Sequence, residues 1–419
     1  MCNLPHPDQD RLWRQLMELA ELREPDQPGF TRRLFSEPYH RSRAWVKDQM
    51  EAVGLNVRTD PVGNLIGELM GEELGLPQIA LGSHTDTVAG GGRFDGMVGV
   101  LGAIEVARLI GQLGQPLRHP LLVADFLGEE PNRFGLSCLG SRAVAGQLTS
   151  GHLSLQDQDG QTLAAALAAT GSHPENLPKG LWPADRLHCY LELHIEQGSR
   201  LQAARVSLGV VTAIAGIHRA VITVRGRPDH AGTATMAERR DALAAAAEVV
   251  LLVERLAKEV GEGGSGVATV GRLEVSPGST NVVPGLATAW AEFRSAQVDW
   301  LQDRNRALAA GVAELAARRD LNIAVEWVSA EPPVDCAEGV RHLLRETIEE
   351  LGQPSMELSS GASHDAAHLA RLGPMGMIFI PSQDGRSHCP EEWTAPREVA
   401  LGVAALLAAV LRLDRCDTV

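Results

Sequence analysis

Five residues able to bind a divalent cation stand just beyond short apolar runs, in segments far apart along the chain: His84, Asp95, Glu130, His194 and His388. Their contexts read GSHTDTVAGGGRFDG, ADFLGEEPNRFG, YLELHIEQG and PSQDGRSHCPEE. Three imidazoles and two carboxylates suffice for two cations if one carboxylate bridges. Two cations a few ångströms apart can activate a water and polarise a carbonyl, so this donor set predicts metal-assisted hydrolysis. Asp95 is the expected bridge, because the glycines of GGGRFDG let the loop fold back toward His84. An aspartate there can place one oxygen on each cation. Asp86 follows His84 by two residues, on the same side of an extended segment. It can take the second ring N–H of that imidazole and fix its tautomer.

Glu129-Glu130 closes the apolar run PLLVADFL. Adjacent carboxylates at a buried strand end repel and are costly unless positive charge lies between them, and two cations would supply it. Glu130 is assigned as the ligand and Glu129 as the general base acting on the bridging water. Gln197, just after His194, can read a substrate amide or carboxylate. His230 (PDHAGTATM), Asn281 (STNVVPG) and Arg294 (AEFRS) add an imidazole, an amide and a guanidinium, a set suited to a substrate carboxylate and an oxyanion. His6, His152, His173, His188 and His218 lack such a context and read as structural.

Positioning these groups requires strands that end together. Leu12, Leu16, Leu19 and Ala20 recur at helical spacing and predict an opening amphipathic helix; a second helix is expected over 41–53, stopped by Gly54. Leu55–Arg58 and Leu65–Leu69, around Gly63-Asn64, read as a hairpin. Strands and helices then alternate: Gln78–Leu81, a helix over Gly96–Ile110, a strand over Pro120–Leu127, a helix over Ser141–Gln147, and strands at Tyr190–Leu193 and Met377–Ile380. This predicts an α/β fold with a mostly parallel sheet flanked by helices. In such sheets ligands collect at the carboxyl ends of strands. His84, Glu129, Glu130 and His194 fall at such ends, and His388 in a loop after one.

Between about Val211 and Trp327 the pattern changes. Strands at Ile217–Val224, Val267–Val275, Leu286–Arg294 and Leu321–Trp327 interleave with helices at Asp241–Val260 and Gln302–Arg318. The βαββαβ order predicts a compact ferredoxin-like α+β insert over 212–328, within a catalytic domain made of 1–211 and 329–419. Helices near Ala337–Leu351 and at the C-terminus should rejoin that domain, and GEGGSG at Gly261–Gly266 reads as a surface loop.

The 419 residues fit two domains; 44% are hydrophobic and only 4% aromatic, so the cores should be aliphatic. The net charge of -15, with no dense Lys/Arg cluster, argues against binding nucleic acid or an anionic membrane. Six cysteines at irregular spacing, with no CxxC, read as free thiols in a reducing compartment. The N-terminus lacks the features of a signal peptide, and the apolar stretches near Leu243–Leu256 and Val399–Leu413 are too short to span a membrane. A cytoplasmic location is expected.

Taken in order, GSHTDTV, GGRFDG, LELHIEQG, DHAGT, NVVPG and SGASHDA resemble the amidase/hydantoinase/carbamoylase family of di-metal amidohydrolases, which includes N-carbamoyl-L-amino-acid hydrolases, allantoate amidohydrolases and β-ureidopropionases. The resemblance runs from GFTRRLFSEPYHRSR at Gly29 to the SHCPEE loop. It implies a smaller dimerisation or lid domain and a homodimer in which lid residues such as His230 reach the neighbouring subunit's site. It also implies two divalent metal ions, His84, Asp95 and His194 on the first and Asp95, Glu130 and His388 on the second, with Glu129 as the base. Histidine and carboxylate ligands suit zinc, manganese, cobalt or nickel. Gln197, His230, Asn281 and Arg294 match substrate-binding positions, Arg294 gripping a carboxylate, and Gly361 and Ser363 lie near the pocket. The sequence departs from the family pattern at Pro131-Asn132 (EEPNRF for EEGSRF), at HAGTATM (for HAGTTPM), at Ser363 (for glycine) and at Glu292 (for aspartate). These changes spare the ligands and the base and bear on the substrate. The implied reaction is hydrolysis of a ureido C–N bond in a small carboxylate such as an N-carbamoyl-L-amino acid, releasing ammonia and CO2. The alternatives are allantoate or β-ureidopropionate, an N-acyl amino acid or dipeptide on the same site, and a catalytically silent binding homologue.

Overall fold

The structure, a computed structural model, describes residues 4–73, 75–179, 182–259 and 266–418. It divides into two compact units, one of Met1–Thr212, Cys336–Leu358 and His364–Val419, the other of Ala213–Asp335 with Ser359–Ser363.

The first unit opens with α1 (Gln9–Glu21), capped by the Asp8 carboxylate on Arg11 N–H, and buries Leu12, Leu16, Leu19 and Ala20, the stripe expected from their spacing. α2 (Glu37–Ala52) starts four residues earlier than expected, because Ser36 caps Tyr39 N–H and Pro38 sits in the first turn. β1 (Asn56–Thr59) and β2 (Leu65–Leu69) form the antiparallel hairpin. The Asp60 carboxylate closes its turn by accepting from the N–H groups of Val62, Gly63 and Asn64. There follow β3 (Gln78–His84), α3 (Met97–Leu113), β4 (Leu121–Phe126), α4 (Leu139–Val144), the short α5 (Ser150–Leu153) and α6 (Leu163–Ala169), β5 (Leu187–Ile195), α7 (Arg200–Ala204) and β6 (Leu208–Ile214).

The second unit contains β7 (Gly216–Arg225), β8 (Asp229–His230), α8 (Ala242–Lys258), β9 (Val267–Ser276), β10 (Val282–Val283), β11 (Leu286–Ser295), α9 (Val298–Arg319), β12 (Asn322–Glu331) and β13 (Val334–Asp335). Its antiparallel sheet has the order β12-β7-β11-β9, so the first and third strands of the βαββαβ pattern are central, as in a ferredoxin-like fold. Ile222 and Phe293 of the sheet pack with Val249 and Val253 of α8 and with Trp300, Leu308 and Val312 of α9. This unit extends past the expected boundary at 328, because β12 runs on to Glu331 and β13 follows it. Of the expected loop at Gly261–Gly266, residues 261–265 lie outside the described residues.

The chain returns to the first unit with α10 (Glu338–Glu350), β14 (Ser355–Ser360, whose last two residues count with the second unit), α11 (Ala366–Leu369), β15 (Met375–Ile380) and α12 (Pro396–Leu413). Its sheet runs β1-β2-β4-β3-β5-β15-β6. The central β4, β3, β5 and β15 are mutually parallel, and β2 and β6 flank them antiparallel. The central strands are buried along nearly their whole length, which is why they read as continuous apolar runs. Leu81, Val123, Leu191 and Ile378 join α3 and α12 in one large core cluster. Each such side chain contributes about 1.5–3 kcal/mol on burial. That core holds the carboxyl ends of the parallel strands in fixed relation. Among the described residues no helix is long and apolar enough to cross a membrane.

Candidate metal centre

The five expected ligands meet at one end of the parallel strands. His84 is the last residue of β3 and His194 the next to last of β5. Glu129 and Glu130 lie just past β4, Asp95 precedes α3, and His388 sits in the loop after β15. All except the exposed His388 are buried. Their donor atoms fall into two sets that could each hold a metal ion, His84 with Asp95 and His194, and Asp95 with Glu130 and His388; within each set the atoms lie within 4.8 Å of one another. Asp95 belongs to both. Its Oδ1 is 3.6 Å from His84 Nε2 and 3.1 Å from His194 Nε2, while its Oδ2 is 3.2 Å from His388 Nε2. Glu130 Oε1 is 3.4 Å from that same His388 nitrogen, and Glu129 Oε2 is 3.7 Å from His84 Nε2.

Main-chain carbonyls aim the buried rings. His84 Nδ1 lies 3.1 Å from the Asp86 carbonyl oxygen and His194 Nδ1 2.8 Å from that of Ile195. Donation from Nδ1 leaves each Nε2 lone pair facing the centre. Asp86 thus differs from the expectation in the atom it uses. Its carboxylate Oδ1 is 3.5 Å from the ring, and its two oxygens accept the N–H groups of Glu129 (3.2 Å) and Glu130 (3.1 Å). One residue after β3 therefore fixes both the β3 histidine and the β4 carboxylates. Gly96 adopts φ 71°, and a Cβ there would stand 2.5 Å from the His84 ring, so the residue after Asp95 has to be glycine.

Glu392 escaped the sequence reading. It is buried and accepts from Phe94 N–H (2.8 Å), Asp95 N–H (3.1 Å) and Ser387 Oγ (2.7 Å), tying the Asp95 loop to the His388 loop. Its only sequence signal is the doublet Glu391-Glu392, which repeats the Glu129-Glu130 pattern without an apolar run before it. Gln197, at φ 57°, donates from Nε2 to Asp95 Oδ2 (2.6 Å), and its buried Oε1 has no hydrogen-bond partner among the described residues. A third set, Glu192, His194 and His364, lies alongside; Glu192 accepts from Ser83 Oγ and Tyr190 Oη.

The electrostatics fit a cation site. Burial pushes the Glu130 carboxyl well above its usual range, and the charges of Asp95 and Glu129 push the same way. Burial also raises Glu129, against the pull of His84. Asp95 moves in the opposite direction: burial opposes its charge, but hydrogen bonds from His194, His388 and His84 hold it well below the usual range. Burial disfavours a charged His84, yet Asp86 and Asp95 raise it well above an ordinary imidazole. His388, hydrogen-bonded to Asp95, is raised to about 9. A cluster that draws protons onto its imidazoles needs positive charge, and divalent cations at the two donor sets would provide it.

The remaining expected residues belong to the second unit. His230 pairs with Val282 across the β8–β10 ladder, and Ala231 N–H donates to the Asn281 carbonyl (2.9 Å), so the two sequence-distant segments that carry His230 and Asn281 are bonded through their main chains. Gly232 N–H donates to His230 Nδ1 (3.1 Å), so Nε2 carries the ring proton. Arg294 Nε bonds Glu292 Oε1 (2.5 Å) and its Nη1 donates to the Gly361 carbonyl (3.0 Å). Arg219 donates to the other Glu292 oxygen (2.6 Å). Ser363 closes the same unit.

The fold and this donor set define a class: residues 80–412 match the model of peptidase family M20/M25/M40, and the chain belongs to that family and, within it, to the hydantoinase/carbamoylase amidases. It is similar to the N-carbamoyl-L-amino acid amidohydrolase of Geobacillus stearothermophilus, 37% identical over 96% of this chain and 98% of that one. The ureidoglycolate hydrolase of Oryza sativa subsp. japonica is also 37% identical, over 97% of this chain and 85% of the relative. The crystal structure of a hydantoinase/carbamoylase family amidase from Burkholderia multivorans superposes with a TM-score of 0.87 at 36% identity, covering 99% of each chain.

Proposed function

We propose that this chain hydrolyses the carbamoyl C–N bond of a small ureido carboxylate, an N-carbamoyl-L-amino acid in the first place, releasing ammonia and CO2. The observation that carries this reading is Asp95, whose two oxygens face two different donor sets with Glu129 beside one of them. His84, Asp95 and His194 would hold one divalent cation and Asp95, Glu130 and His388 the other; zinc, manganese, cobalt and nickel all suit these ligands. Bound cations supply Lewis acidity toward the carbamoyl oxygen and lower the pKa of water. Glu129 takes the proton of the attacking water and returns it to the departing nitrogen. Arg294 forks the substrate carboxylate, with Glu292 and the Gly361 carbonyl holding the guanidinium in place. His230 presents Nε2–H to the oxyanion, Asn281 and Gln197 contact the substrate, and Ser363 narrows the pocket beside it. The second unit serves as lid and dimerisation domain of a homodimer in the cytoplasm, and Asp86 positions His84 and the Glu129-Glu130 pair.

A second reading, ureidoglycolate as substrate, is favoured by the rice relative, which matches this chain as well as the Geobacillus one does. The test is ammonia release by metal-reconstituted protein across N-carbamoyl-L-amino acids, ureidoglycolate, allantoate and β-ureidopropionate, with amine release from N-acetyl amino acids as control. Turnover of one ureido compound fixes the bond. Silence on all of them, in folded protein holding two metals, overturns the proposal.

A further inference from the structure

We infer that Cys138 is a positioning residue for the general base, its thiol tethering one oxygen of Glu129 so that the other faces the donor cluster. The inference rests on the role given to Glu129 above. Cys138 is 1% exposed, and its Sγ lies 3.3 Å from Glu129 Oε1. A thiol opposite a carboxylate oxygen is the donor. Glu129 Oε2 is the atom 3.7 Å from His84 Nε2. The carboxylate is therefore asymmetric, with Oε1 held from behind and Oε2 presented where a water proton has to be taken.

The tether is built on a rigid strap. Cys138 N–H donates to the Glu129 carbonyl (2.8 Å), Leu139 N–H to Gly128 (2.9 Å) and Gly140 N–H to Leu127 (2.8 Å), so residues 138–140 are zipped to the chain that carries the base. Cys138 itself adopts φ 54°, a left-handed conformation that a non-glycine residue keeps only when its surroundings impose it. Ser141 Oγ bonds both the Cys138 carbonyl (3.3 Å) and the Asp365 carboxylate (2.5 Å), anchoring the strap from its far side. The choice of donor matters chemically. A guanidinium at this place would stabilise the carboxylate charge and weaken the base. A thiol is a weak donor that sets orientation while leaving basicity nearly intact.

The test compares Cys138→Ala and Cys138→Ser in the metal-loaded protein, with kcat and KM measured separately. Because the strap is held by main-chain bonds, both variants should fold and keep their metals. Cys138→Ala should lower kcat about three- to tenfold at unchanged KM, the factor one modest hydrogen bond corresponds to, and Cys138→Ser should recover most of it. Wild-type kcat in Cys138→Ala, or equal losses in the two variants, would overturn the assignment. A second readout does not depend on turnover. The infrared S–H stretch that disappears in Cys138→Ala should shift toward the free-thiol position in Glu129→Ala. A band that ignores Glu129 refutes the tether even if the ureido reaction is confirmed, and a band that responds upholds it even if another substrate class is found.

Discussion

In the first unit His84 and His194 are 1% exposed, each with Nδ1 on a carbonyl and Nε2 on Asp95. In the second, His230 and Asn281 are exposed, and among the described residues they are held by a two-residue ladder and short loop contacts. The difference is energetic. A buried cluster of carboxylates and imidazoles is expensive unless charge balances it, so its residues have to be placed by a supporting framework. An exposed histidine costs nothing to place and acquires meaning only with a substrate. Chemistry in the first unit should thus depend steeply on single atoms, and in the second show up as binding.

The largest effect expected is at Glu129, the proposed base. Glu129→Gln should keep its metal content but lower kcat by about 10²–10⁴-fold; near wild-type turnover would remove Glu129 from that role. Next is Glu392, which holds Asp95 by its main-chain N–H and not by a donor atom. Glu392→Ala leaves two buried amides unpaired and should weaken metal affinity by about 10–100-fold, read by competitive chelator titration. An unchanged titration would mean that the Asp95 loop is rigid on its own. In the second unit, Arg294→Lys turns a fork into a point charge and should raise KM about tenfold with kcat nearly kept. A fall in kcat at constant KM would give the second unit the same character as the first. The smallest effect concerns His368, whose ring is buried near Arg142 and Arg371 and lowered from 6.5 to about 3. A depressed folded value means that burial of the neutral ring stabilises the protein above pH 6.5 and that this stability is lost as pH falls toward 3. Between pH 7 and 5 His368→Gln should lose about 1–2 kcal/mol less than wild type in denaturant melts. Parallel losses in the two proteins would show that the ring is not what titrates.

The same contrast governs what could be read from the chain. The strands β3, β4, β5 and β15 were legible because burial on both faces makes them continuous apolar runs, and the ligands because they stand at the ends of those runs. β6 was missed: only Ala215 separates it from β7, and the apolar run continues across the break, which Gly216 alone marks. β14 (SMELSS) was missed because a partly exposed strand of small polar residues has no hydrophobic signature. Helix starts were off where a capping residue outweighed the apolar spacing, as at Ser36. Asp86 was recognised as a partner of His84, but not as the acceptor for two amides 43 and 44 residues away. Such links depend on main-chain geometry that side-chain patterns do not encode. Glu392 was invisible for the same reason.

β15 completes the parallel core between β5 and β6, and His388 follows it. On a growing chain His84 emerges about 300 residues before His388, which at ribosomal speed is tens of seconds. From the synthesis of β5 until that of β15, β5 has no parallel neighbour on one side, and until His388 emerges the second donor set lacks its imidazole. A nascent chain can therefore gather an incomplete set of donors but cannot close both. Completion of the second donor set is then a late event in synthesis, while the three residues of the first are already on the chain.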